Sequence, residues 1–293
     1  MTIYEKQNIA VNIKLLAAQR RLYSDAKIVY SLRIAVVFLG AFLTISAAAA
    51  FPDARVYIGA VSTFVGFLVS LLGVGREKRK NKEAAASQEL FDTNVFSLPW
   101  NDNLAERPSG AVVSEAALRY TKNDLQDWYT DTTPVPRPLD ILICQRSNLG
   151  WSIAAHRAWS ALFAAIGLLL LLYATAAALL LGSSLATTLI GFYLPLIPGI
   201  KECVENWRSN ADSIHSKQKV DGKALAIWVR AVEKKQVPHI GECRQLQDLI
   251  LMSRQVNSPI PDWFYDRMKE KNQKAMEMSV NDYVHQVVES GLA

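Results

Sequence analysis

The sequence predicts an all-α membrane protein: four transmembrane helices in two hairpins, with a helical cytosolic domain formed by a central insert and the C-terminal tail. Three observations predict it. Of 293 residues, 51% are hydrophobic although 20% are charged, and the two kinds are segregated along the chain. No Lys, Arg, Asp or Glu occurs in residues 34–52, in 56–75 or across the 43 residues 158–200. Lys and Arg crowd beside these runs on one side of each hairpin, as orientation in a bilayer requires. Strand-like alternation is nearly absent, which excludes a β-barrel, and the segregation excludes a purely soluble fold and a disordered chain.

Residues 1–33 form the first element. Ile9, Ile13, Leu16, Tyr23, Tyr30 and Ile34 fall on one stripe at helical spacings, so residues 4–33 read as a helix continuous with the first span. Thirty mixed charged residues before the first apolar run do not read as a signal peptide. Residues 34–74 form the first hairpin, with spans Ile34–Phe51 and Val56–Val74 around Pro52-Asp53-Ala54-Arg55. A bilayer core takes about 20 helical residues, which both spans supply. Residues 158–200 are too long for one span and break at Gly182-Ser183-Ser184, giving Ala158–Leu181 and Leu185–Ile200, the latter ending at Pro198-Gly199.

The N-terminal 33 residues carry six Lys or Arg against two acids, and Arg76, Lys78, Arg79, Lys80 and Lys82 follow the second span. The hairpin loops hold only Arg55. By the positive-inside rule both termini, the insert 75–157 and the tail 201–293 are expected in the cytoplasm, beneath the inner membrane. The cysteines Cys144, Cys203 and Cys243 then read as reduced thiols. Eleven bases against eleven acids in the insert, and fourteen against thirteen in the tail, argue against DNA or RNA as a partner despite the net charge of +5.

Within the insert, Arg76–Phe91 continues as a polar helix until Leu98-Pro99-Trp100-Asn101. Ser114 is placed to cap a short helix to Tyr120, and Lys122–Tyr129 reads as another. Pro134-Val-Pro-Arg-Pro138 is a rigid turn, after which the pattern is helical from Leu139 into the third span. In the tail, Cys203–Lys217, Gly222–Lys235, Gly241–Gln255 and Asp262–Met278 read as helices, and Ser279-Val-Asn-Asp282 as the start of a last one.

Enzyme chemistry finds little support. The four histidines lack metalloprotease spacing, and Gly73-Val-Gly75 is not a phosphate-binding loop. His239-x3-Cys243 could put two ligands on one helical turn, but without a Cys-x-x-Cys no metal or cofactor is expected. The spans lack ionisable side chains, which removes weight from ion-coupled transport. Gly59, Ser62, Thr63, Gly66, Ser70 and Gly73 instead align along one side of the second span. Such a stripe serves either close helix packing or a lumen shared between subunits of a homo-oligomer. Six of seven tryptophans lie outside the spans, several beside Arg, a pairing that suits nucleotide bases and phosphates as well as core or membrane-interface positions. Arg137, Arg146, Trp151, Trp263 and Arg267 are the candidate ligand residues.

The stretches Gln88-Glu-Leu-Phe-Asp-Thr-Asn-Val-Phe-Ser-Leu-Pro-Trp-Asn101, Asp127-Trp-Tyr129, Cys144-Gln-Arg-Ser-Asn-Leu-Gly-Trp151 and Ile260-Pro-Asp-Trp-Phe-Tyr265 resemble, in that order, the bacterial four-transmembrane effectors associated with nucleotide second-messenger synthetases (S-4TM effectors). The resemblance covers nearly the whole chain. It implies a defence effector, encoded beside a cGAS-like nucleotidyltransferase, that senses a cyclic di- or oligonucleotide and disrupts the lipid bilayer to kill the infected cell. A constitutive four-helix scaffold or small channel without a nucleotide ligand is the alternative.

Overall fold

The computed structural model describes residues 1–72, 74–122, 124–150 and 153–292, and the side chains of Lys269 and Lys271 are not described. Among the described residues there is no strand. The helices are α1 (Ile3–Gln7), α2 (Ala10–Ala50), α3 (Arg55–Leu71), α4 (Val74–Phe96), α5 (Gly110–Leu118), α6 (Leu139–Gly150), α7 (Ile153–Leu180), α8 (Leu185–Thr188), α9 (Ile197–Lys234), α10 (Ile240–Gln255) and α11 (Asp262–Glu289). Three helical runs, Ala10–Ala50, Pro52–Phe96 and Leu139–Leu180, are long and apolar enough to cross a membrane.

The chain folds as two compact units. One gathers residues 1–26, 78–155 and 212–293; the other gathers 27–77 and 156–211.

In the second unit the large apolar side chains point outward. Tyr57, Phe64 and Leu72 are exposed, as are Leu169, Leu172 and Leu180 on α7, an inversion of the soluble pattern that suits lipid. Its interior is small and close-packed: Ala41, Ile45 and Ala48 of α2 meet Ala174 and Ala178 of α7, with Phe192 and Leu196.

The expected fourth span is not one regular helix. α8 is followed by a wide π turn at Leu189–Tyr193, a 3-10 turn at Leu194–Leu196, and α9. Pro195 suits this break, because it lacks an N–H and crowds the carbonyl of Gly191 four residues earlier. Nor does the segment end at Pro198-Gly199. Pro198 sits in the first turn of α9, where its missing donor has no helical partner to lose.

Arg55 is buried where this broken segment meets the first hairpin. Its Nε donates to the Ala48 carbonyl at 2.7 Å and its Nη1 to Ser183 Oγ at 2.8 Å, and its guanidinium lies 5.2 Å from the Phe192 ring centroid. Elsewhere in the unit Arg33 pairs with Glu202 at 2.5 Å and Glu77 at 3.3 Å, tying α2, α9 and α4 together.

The first unit is built on two apolar clusters. Leu15, Leu16, Leu22, Phe91, Phe96 and Tyr129 belong to one; Leu139, Leu142, Ile143, Trp228, Ile250 and Val287 belong to the other. Several expected boundaries shift here. Ser109, not Ser114, caps α5 by accepting the Val112 N–H at 3.3 Å; Ser114 lies inside the helix and donates to the Gly110 carbonyl.

Of the expected helix Lys122–Tyr129, residues 124–129 are not helical, and Asn123 lies outside the described residues. Gln7 exchanges two hydrogen bonds with the Tyr129 backbone, and Asn8 two with Asp127, which sits at φ +54°. These side chains satisfy backbone groups that a helix would otherwise pair. α9 runs unbroken through Gly222, and α11 unbroken through Ser279. His239 caps α10, accepting from the Gly241 N–H at 3.1 Å while its own N–H donates to Glu242 at 3.0 Å.

Candidate functional site

The chemistry available to a ligand gathers in the first unit, where α6 and α11 pack against each other beside α9. The hydrophobic pattern of α6 commits Leu139, Leu142, Ile143 and Leu149 to the core. Arg146 and Ser147, on the remaining face, border a cleft of about 310 Å³. α11 contributes Asn272, Ala275, Met276, Ser279, Val280 and Tyr283, which follow helical spacing along one side. Asp221 of α9 completes the wall. The volume lies at the low end of ligand pockets.

Arg146 is held on two sides. Its Nε donates to Asp221 Oδ1 at 3.1 Å, and its guanidinium stacks 4.5 Å from the Tyr283 ring centroid. Tyr283 is fixed in turn by Trp228, with centroids 4.9 Å apart. The Arg146 side chain is only 9% exposed, and its Nη1 is buried without a hydrogen-bond partner. An unsatisfied donor on a buried cation costs on the order of 1–3 kcal/mol, which an incoming acceptor would recover. Among the described residues the cleft holds one cation against one carboxylate, with an unpartnered donor.

The other candidate residues do not join it. Arg137 pairs with Asp140 at 3.4 Å and reaches the Phe96 carbonyl at 3.3 Å. Trp263 is exposed at the start of α11, edge-on to Phe264, and Arg267 is exposed one turn later. Trp151 lies outside the described residues. Asp221 of α9 and Tyr283 of α11 had no individual signal in the sequence.

The stretches singled out in the sequence converge on a second, largely buried polar cluster. Asp92 of α4 pairs with Arg254 of α10 at 2.7 Å, and Glu89 with Arg244 at 2.7 Å. Gln247 donates to both acids, at 2.8 Å to Glu89 and 3.0 Å to Asp92. Tyr129 donates to Asp92 at 2.6 Å and accepts from Asn148 at 2.7 Å, while Gln145 donates to Gln247 at 3.0 Å. Burial, reinforced by Asp92, raises the Glu89 carboxyl above its usual range, and burial raises the Tyr129 hydroxyl likewise. Its geometry is that of a clasp between α4, α6 and α10, in which Arg254 Nη2 and Gln145 Oε1 remain buried without a partner.

On the second span, Gly59 and Gly66 face the chain's own fourth segment. A Cβ on Gly59 would meet the Ile190 carbonyl oxygen at 2.2 Å, and one on Gly66 would meet Pro198 Cγ at 3.1 Å. Thr63 and Ser70 turn their hydroxyls to their own helix, donating to the Gly59 and Phe67 carbonyls. Ser62 is half-buried, and Gly73 lies outside the described residues. The three cysteines carry free thiols, and burial pushes Cys243 up to about 12. Among the described residues no group of His, Cys, Asp and Glu is placed to hold a metal ion.

Compared with known proteins, residues 1–283 match the family model described as the SMODS-associating 4TM effector domain. The chain is 28% identical, over 293 aligned residues, to a protein of Bacillus cereus (strain VD146) named as a probable CBASS effector molecule; the alignment takes in 93% of this chain and 95% of that one. No solved structure matches.

Proposed function

The chain belongs to the SMODS-associating 4TM effector family, and from that membership we propose that it is an anti-phage defence effector of the inner membrane. In this reading a cGAS-like nucleotidyltransferase makes a cyclic di- or oligonucleotide upon infection. The first unit, cytoplasmic with both termini, binds it. The hairpins at 34–74 and 158–200 then associate between protomers and permeabilise the bilayer. No catalysis is required of the chain.

One observation carries the ligand part of this reading: the cleft at Arg146, with a buried guanidinium whose Nη1 has no partner. Arginine is suited to phosphate because its planar fork presents paired donors. Binding can drive assembly only by favouring the assembled state, and moving a population from 1:99 to 99:1 takes about 5.5 kcal/mol of differential affinity.

The test uses the full chain in lipid vesicles loaded with a quenched dye. Cyclic di-AMP, cyclic di-GMP and cyclic GMP–AMP are added in turn, with binding followed by calorimetry. Binding and dye release by one of them support the reading. A folded protein that binds none and leaks equally with or without them supports a constitutive channel or scaffold.

A further inference from the structure

We propose that the cleft beside Arg146 reads a phosphodiester together with the ribose hydroxyl next to it, and that Asp221 is the residue that demands the hydroxyl. The proposal rests on the nucleotide-sensing reading above. It starts from the arrangement of charge around one guanidinium. Arg146 offers the unpartnered Nη1, while its Nε is already bonded to Asp221 at 3.1 Å. Nη1 is covered in this structure, so a ligand reaches it only with a small shift of the Arg146 side chain, and then meets an acceptor-seeking donor and a carboxylate within the width of a single side chain. The Asp221 side chain is 40% exposed, so its second oxygen can reach the cleft.

A bare anion suits this pair poorly, because Asp221 repels it as Arg146 attracts it. Two phosphates fare worse, since among the described residues Arg146 is the one cation lining the cleft. The fit is an anion with a hydrogen-bond donor a few ångströms away. In a nucleotide the edge of the base is too far from its own phosphate to serve. The hydroxyl on the neighbouring ribose carbon is close enough, and a carboxylate is the usual acceptor for it. Tyr283 holds the guanidinium over its ring, 4.5 Å from the centroid, which limits how far it can swing from Asp221. At about 310 Å³ the cleft has room for one nucleotide unit of a larger cyclic ligand, not for the whole ring.

The discriminating experiment compares affinities as ratios, which a general loss of folding does not imitate. Full-length protein in lipid nanodiscs is titrated with each 3′–5′-linked cyclic dinucleotide and with the 2′-deoxy counterpart of the one that binds. The parent protein should bind the ribose form at least about tenfold more tightly, the scale of one hydrogen bond to a charged group. Asp221→Ala should bind both forms with a ratio near one. Arg146→Ala should weaken both by a common factor, and thermal unfolding of each variant reports its integrity. An unchanged ratio in Asp221→Ala, or equal binding of the two forms by the parent, overturns the assignment to Asp221. Nucleotide binding untouched by Arg146→Ala moves the ligand to another site while leaving the effector reading intact. Absence of binding by a folded parent ends both.

Discussion

The clasp at Asp92 makes the sharpest demands on individual residues. Asp92 is buried facing Arg254, Gln247 and Tyr129, so Asp92→Asn removes the close counter-charge of the Arg254 guanidinium and leaves it only Glu89 at 3.9 Å. The expected loss is about 3–5 kcal/mol, read as a lower unfolding midpoint by circular dichroism in detergent. Lys217 gives a pH signature. Burial, with Arg254 nearby, pulls its ammonium down to about 7 from 10.5. The folded state therefore releases this proton before the unfolded chain does. Its contribution makes stability rise as pH climbs from about 7 to 10.5, and the penalty is complete below that window. Lys217→Met should raise the midpoint at pH 6.5 and flatten the rise between pH 7 and 10; a variant whose pH profile parallels the parent's contradicts this. Such roles were invisible in the sequence. Glu89, Asp92, Tyr129 and Gln145 stood out as members of recognisable stretches, but their chemistry lies in partners 19 to 162 positions away, which spacing cannot reveal. Arg146 was legible as a candidate because it shortly precedes Trp151, an arginine–tryptophan pairing suited to a nucleotide; Asp221, its partner across the cleft, was not.

Element by element, the helical character and the three long apolar runs were legible, because charge segregation and 3.6-residue periodicity are strong local signals. Breaks were legible only in part. Gly222 and Ser279 look like helix boundaries, yet α9 and α11 pass through them, since a core face made by Val220, Ala224, Trp228, Val280 and Val287 outweighs weak local preference. Conversely, Lys122–Tyr129 has a helical composition but is claimed by Gln7 and Asn8 from the start of the chain. A Cβ at Gly222 would meet nothing within 4 Å. Gly222→Ala should accordingly stabilise the protein by about 0.5–1 kcal/mol, visible as a small upward shift in midpoint. Gly59→Ala should do the opposite, because the atom in its way is the Ile190 backbone oxygen, which cannot swing aside. A loss of about 1–3 kcal/mol is expected in detergent. The sequence left the small-residue stripe open between packing within the chain and a lumen between chains; Gly59 and Gly66 are occupied by the chain's own Ile190, Gly191 and Pro198.

For the molecule as a whole, the asymmetry of Lys and Arg predicts its sidedness. Single cysteines introduced at residue 110 and at each end of the chain, in a background lacking the three native ones, should be shielded from an impermeant thiol reagent in intact cells and labelled after lysis. Labelling at residue 110 in intact cells reverses the orientation.

Arg55 also constrains how the protein is made. Its guanidinium belongs to the first hairpin, but two of its three partners, Ser183 and Phe192, are translated more than 120 residues later. Until the second hairpin emerges from the ribosome, the charge has the Ala48 carbonyl and whatever water or headgroup it can find. The first hairpin thus waits at the membrane surface with an unsealed tip, and the arrival of the second closes it. Biogenesis is expected to be ordered and quality-controlled at that step: a chain terminated after residue 157 should be short-lived in cells, and co-expression of residues 158–293 as a separate fragment should prolong its half-life.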